Sequence, residues 1–127
     1  MKKKLITPCA EVWLDHDGIL YSDFREMIAE LHEVQEHMAM VRNYYREYLP
    51  LLQIADARKV KQTKKESRDY LAQDDAAQII KASAVLVKPL SKIFGNLFIK
   101  FSKPPFPTKL FSDEKQAREW LLDLNFD

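Results

Sequence analysis

The side chains that could do chemistry in this chain are a few histidines, one cysteine and scattered carboxylates, and their spacing assembles no reactive centre. His32 and His37 stand five apart, so on a helix they point to different sides and cannot form the i, i+4 pair of a zinc site. Glu33 and His37 have the right spacing, but no third ligand accompanies them, and the pair reads as part of a solvated polar face. His16 reads as a turn residue. Cys9 has no nearby basic context to lower its pKa and is expected to be inert; as the single cysteine it cannot form an internal disulfide. Asp56 closes an apolar run, the place where α/β folds bind ligands, and it reads as a loop anchor paired with Arg58 or Lys59 because no second acid is placed beside it. Asp56, Arg58 and Thr63 supply no nucleophile and base pair, and no metal or cofactor motif is present. The expectation is binding, not turnover.

Charge is more informative than catalysis here. The chain has 20 basic and 19 acidic residues, a formal net charge of +1 that hides a strong asymmetry. Residues 1–57 carry six basic and ten acidic side chains, net −4; residues 58–109 carry twelve and four, net +8; residues 110–127 carry two and five, net −3. The central block can therefore attract phosphates, anionic headgroups or an acidic partner over roughly 8 Å at physiological salt. Nucleic acid fits it poorly, because no aromatic stacking residue interrupts the Arg58–Arg68 cluster before Tyr70. No apolar run reaches the roughly 18 to 20 residues that cross a bilayer, and no secretory h-region follows the first lysines. The expected location is the cytoplasm, at most peripheral on the inner membrane surface.

These residues need elements to position them. EVWLD at Glu11–Asp15 and ILYSDF at Ile19–Phe24 flank His16-Asp17-Gly18, a tight antiparallel hairpin. Phe24, Met27, Ile28, Leu31, Val34, Met38 and Val41 then recur at helical spacing, with Asp23 and Glu26 as a capping box, which predicts a long helix reaching Tyr45. LLQIADA predicts a buried strand ending at Asp56. Thr63 and Glu66 form a second capping box, opening a helix to about Lys81. A strand over Ala84–Val87, a third helix from Pro89 through Phe101, a proline turn, a strand over Thr108–Phe111 and a helix capped by Ser112 or Asp113 complete the order ββαβαβαβα. This is an α/β fold: a mixed five-stranded sheet with about four helices on both faces. Residues 1–8 read as a lysine-rich tail and 9–127 as one domain, since 127 residues at 46% hydrophobic suffice for a single core.

The hairpin EVWLDHDGILY, the strand LLQIADAR and the stretch LVKPLSKIFGNLFIKFSKPPFPTKLFSDEKQAREWL resemble the bacterial SpoIIAA-like proteins, small domains of the STAS and CRAL-TRIO-like fold. The resemblance covers nearly all of the chain after its lysine-rich start. It implies a fold more than an activity. Among relatives of that fold, anti-sigma-factor antagonists are switched by phosphorylation at the start of the second helix, and CRAL-TRIO domains carry nonpolar ligands. Thr63 is the closest match to the switched position, with Ser67 a turn later; ADARKVKQTKKES lacks an Asp-Ser-Ser-Gly type of motif, so Thr63 reads first as an N-cap.

The third helix is greasier than one core-facing stripe requires. Leu90, Phe94, Leu97 and Phe101 are expected to bury against the sheet, leaving Phe98 and Ile99 to face a pocket, a membrane or another subunit. Lys92 and Lys100 border that surface, as in an interfacial helix near anionic lipid. Two functions follow as expectations. The first is peripheral membrane association or nonpolar-ligand binding through Leu90, Lys92, Ile93, Phe94, Phe98, Ile99 and Lys100, beside an anion-attracting set of Arg58, Lys61, Thr63, Lys64 and Ser67. The second is a regulatory protein-interaction domain, dimeric or partner-bound, with a phospho-switch at Thr63. Neither requires a cofactor.

Overall fold

A computed structural model describes residues 3–89 and 104–126. In chain order the elements are β1 (Leu5–Ile6), β2 (Ala10–Leu14), β3 (Leu20–Phe24), β4 (Ile28–Ala29), α1 (Leu31–Tyr44), β5 (Leu51–Asp56), β6 (Gln62–Thr63), α2 (Lys65–Leu71), β7 (Ile80–Leu86), β8 (Thr108–Phe111) and α3 (Glu114–Asp123). Short 3-10 turns at Arg46–Tyr48 and Asp74–Gln78 follow α1 and α2. The main sheet runs β1-β2-β3-β5-β7-β8, antiparallel across its first three strands and parallel from β3 onward. The mixed α/β architecture expected from the sequence is therefore present. Its sheet has six strands, because Leu5–Ile6, read as tail, pairs with Glu11–Val12. A second, two-stranded parallel ribbon pairs β4 with β6.

Each face of the sheet has its own core. Under α1, Val34, Met38, Val41 and Tyr45 bury against Cys9, Ala10, Val12 and Leu20. On the other face Ala117 and Leu121 of α3 pack on Ile19, Ile54, Ala82, Ala84 and Leu86. Period-two alternation explains the split: Val12 faces α1, while Trp13 lies on the α3 side and stacks on Tyr21 at 4.8 Å between ring centroids. The β2–β3 hairpin turns at Gly18, whose φ of 75° suits glycine. Asp15 secures that turn by accepting the Asp17 and Ile19 N–H groups at 2.9 and 3.0 Å.

Two helix starts differ from the sequence expectation, and for the same reason. Asp23 and Glu26 do not cap α1: Phe24 is the last rung of β3, paired with Ala10, and the helix begins seven residues later at Leu31. There Glu30 and Glu33 form a capping box, in which Glu33 accepts the Glu30 N–H at 3.4 Å. Thr63 likewise does not cap α2. It pairs with Ala29 in the ribbon, and Lys64 takes the N-cap position without a side-chain cap bond. Strand pairing with residues outside the local window overrides the cap signal in both places. The second helix also ends at Leu71, not near Lys81, because Ile80–Leu86 is recruited as β7 alongside β5. The third helix expected from Pro89 through Phe101 lies outside the described residues beyond Pro89.

Candidate functional site

Strands β3, β5 and β7 run parallel, so their carboxyl ends reach one edge of the sheet, and the loops that leave them meet there. The Ala57 N–H bonds to Leu86 O at 2.9 Å and the Val87 N–H to Phe111 O at 2.8 Å, which fixes the floor of an open cleft. The cleft encloses about 750 Å³ and is lined, among the described residues, by Glu26, the loop Ala57–Thr63, Val87 and Lys88. Its position outside the carboxyl ends of parallel strands is the general ligand-binding position of open α/β sheets. The β4–β6 ribbon walls it, and the Lys61 N–H donates to Met27 O at 2.9 Å, so the loop is anchored at both ends.

Cations dominate the lining. Arg58 is held as a fork: its Nε donates to Asp56 Oδ1 at 2.9 Å and its Nη2 to Asp56 Oδ2 at 2.6 Å. Asp56 is buried, and the Tyr21 hydroxyl donates to its Oδ2 at 3.0 Å while lying 3.2 Å from Glu114 Oε1. Burial alone would raise the Asp56 pKa, but the hydrogen bonds and charge of Arg58, with the Tyr21 hydroxyl, hold it below the ordinary carboxylate value. Burial, then the negative charges of Asp56 and Glu114, pushes the Tyr21 phenol well above its usual value, so it remains a neutral donor. Lys59 and Lys61 are held loosely, by Asp23 at 3.5 Å and Glu26 at 3.3 Å, in exposed pairs. Such pairs contribute about 0–1 kcal/mol, so both ammonium groups can be redirected.

The sequence-predicted residues separate into three groups. Arg58, Lys61 and Thr63 come together in the cleft lining. Lys64 and Ser67 do not: Lys64 stands at the N-cap position of α2, outside the lining, and Ser67 is fully buried, its hydroxyl donating to Ala29 O at 2.9 Å. Leu90, Lys92, Ile93, Phe94, Phe98, Ile99 and Lys100 lie outside the described residues. Asp56 anchors its loop through Arg58, the pairing its position suggested. Sequence reasoning missed Glu26 as a lining residue and Tyr21 and Glu114 as the groups behind Asp56; no local signal links positions so far apart in the chain.

His37 corrects another expectation. It is buried, not part of a solvated face, and its Nδ1 lies 2.7 Å from Thr7 Oγ1. Thr7 Oγ1 accepts the Cys9 and Ala10 N–H groups at 3.1 and 3.0 Å and donates toward the Ala10 carbonyl at 3.3 Å, so this hydroxyl ties the start of β2 to the His37 ring. Desolvation, then the positive charge of Arg25, lowers the His37 pKa to about 4. Cys9 is buried too, and desolvation, then Glu33, raises its thiol pKa to about 11, as befits an inert sulfhydryl. Asp15, His16 and Asp17 bring ligand atoms within 4.8 Å of one another, but Arg118 Nη1 already bonds both carboxylates at 2.7 and 2.9 Å. Among the described residues no helix is long and apolar enough to cross a membrane.

The fold has a solved counterpart. A crystal structure of an uncharacterised protein of the DUF3478 family with a SpoIIAA-like fold, from Shewanella loihica PV-4, superposes with a TM-score of 0.58 at 10% identity, covering 95% of this chain and 92% of that one. At that identity the likeness establishes fold alone, and it agrees with the SpoIIAA-like resemblance of the sequence. No curated protein matches the chain. The family described as Domain of unknown function (DUF7793) matches residues 12–125, nearly the whole length, and the chain belongs to that family.

Proposed function

We propose that the protein is a non-catalytic binding module that docks on anionic membrane surfaces through the cleft at the carboxyl ends of β5 and β7. The observation that carries this reading is the convergence of Arg58, Lys59, Lys61 and Lys88 on one open cleft. Sequence continuity supports it. Lys88 and Pro89 lead directly into Leu90–Phe101, whose apolar residues are interspersed with Lys92 and Lys100. A basic patch beside an apolar segment is the two-signal combination that peripheral membrane binding needs, since each basic residue near an anionic surface contributes about 1 kcal/mol. Uptake of a nonpolar ligand beside the same segment belongs to this reading.

Co-flotation with anionic and zwitterionic liposomes at low and high salt tests it. Binding confined to anionic vesicles and weakened by salt is the expected result. Absence of binding to either would refute membrane docking. The SpoIIAA-like fold favours a second reading, a regulatory protein-interaction domain that docks a partner or a second copy. Under that reading Thr63, half-buried in the cleft wall, is the switch position, and Phe98→Asp should abolish the association seen by light scattering or pull-down.

A further inference from the structure

We infer that the cleft at the ends of β5 and β7 is a site for a phosphomonoester group carried on a larger, partly apolar molecule. The inference deepens the membrane-docking reading and rests on the same cleft. Four cations, Arg58, Lys59, Lys61 and Lys88, line it against one carboxylate, Glu26, which is itself turned to Lys61 at 3.3 Å. Asp56 and Asp23 stand behind Arg58 and Lys59 and balance them when the cleft is empty of ligand. The Lys59 and Lys61 pairs are exposed and weak, so an incoming anion can draw both ammonium groups away from their carboxylates. Lys88 has no carboxylate within ion-pair reach among the described residues. A carboxylate ligand would bring a single negative charge and two acceptor oxygens to these four cations. A phosphomonoester, at about −1.5 to −2 charge near neutral pH with three acceptor oxygens, can use several at once.

Arg58 differs in kind from the lysines. Its Nε and Nη2 are fixed on Asp56, so the planar guanidinium is preorganised, while Nη1 is uncommitted among the described residues. Thr63 adds a neutral hydroxyl to the lining. Size then bears on what carries the phosphate. A volume of about 750 Å³ lies within the range of sites for drug-sized molecules, far more than an inorganic ion fills. Ala57, Val60 and Val87 give the lining an apolar portion for the remainder of such a molecule. Two sources share this chemistry: a lipid with a phosphomonoester headgroup, and a water-soluble phosphorylated compound.

The test compares phosphatidylcholine vesicles containing phosphatidic acid with vesicles containing phosphatidylserine at matched surface potential. Equilibrium dialysis with phenyl phosphate runs in parallel. Preference for phosphatidic acid, reduced by roughly tenfold in Lys88→Gln, is expected if the lipid is the source; a charge-assisted contact is of that size. Lys88 is exposed, so that variant should keep its melting temperature. Phenyl phosphate binding without any vesicle binding would uphold the phosphomonoester site and refute membrane docking. Equal binding to both anionic vesicles, unaffected by Lys88→Gln, would overturn the phosphomonoester site while membrane docking survives. Absence of binding in every arm would overturn both.

Discussion

His37 provides a quantitative test of the packing between α1 and the start of the sheet. Its ring is sealed against Thr7 and lies 5.3 Å from the Phe24 ring, and its pKa falls from 6.5 to about 4 on folding. The folded value is the lower one, so the unfolded chain takes up the proton first as pH falls. Stability from this site is fully present above about pH 6.5, declines between about 6.5 and 4, and is constant below. At about 1.36 kcal/mol per unit, the whole difference is about 3 kcal/mol, of which about 2 kcal/mol is already lost at pH 5. Urea denaturation of the wild type and of His37→Gln at pH 7.5 and 5.0 isolates the effect, because the carboxylates titrate alike in both. The loss between the two pH values should be smaller in the variant by about 2 kcal/mol. Identical pH dependence in the two proteins, or a ring that titrates near 6.5 in the native NMR spectrum, would refute the sealed, neutral imidazole.

Three further outcomes follow from the packing. Leu86→Ala, at a position with 0% exposure under α3, should cost about 2–5 kcal/mol in the same denaturation assay. Asp113→Ala removes the cap bond that accepts the Lys115 N–H at 2.8 Å and should lower stability by about 1 kcal/mol, read as a fall in melting temperature. Cys9, with its pKa raised to about 11, should react with a disulfide reagent at pH 8 only as fast as the chain unfolds; labelling at the rate of a free thiol would contradict its burial.

Where local chemistry decides the structure, the sequence was a reliable guide. Asp17-Gly18 marks the hairpin, and Gly18 adopts the positive φ that the turn requires. The run ending at Asp56 is β5, and Asp113 caps the last helix. It misleads where a distant partner intervenes. Asp23 and Glu26 satisfy the spacing of a capping box, yet Phe24 belongs to Ala10 across the hairpin; Thr63 satisfies another, yet it belongs to Ala29. His37 has polar neighbours in sequence but is buried by Thr7, thirty positions away. The site divides in the same way. Arg58, Lys61 and Thr63 were legible because one loop carries them, whereas Glu26 and Lys88 join that loop only because parallel strands end at a common edge. The Tyr21 contact to Glu114 spans 93 positions and leaves no periodic trace in the sequence.

Amide chemical-shift mapping tests most directly whether the strand-end cleft is the working surface. Titrating the 15N-labelled protein with a short-chain phosphatidic acid below its micelle concentration should move the resonances of residues 57–63, with those of Val87 and Lys88, in a saturable manner. The buried Ser67 and His37 positions should stay unchanged. Shifts centred instead on the exposed Tyr44 and Tyr48, or a spectrum that does not respond, would contradict the assignment of binding to the cleft.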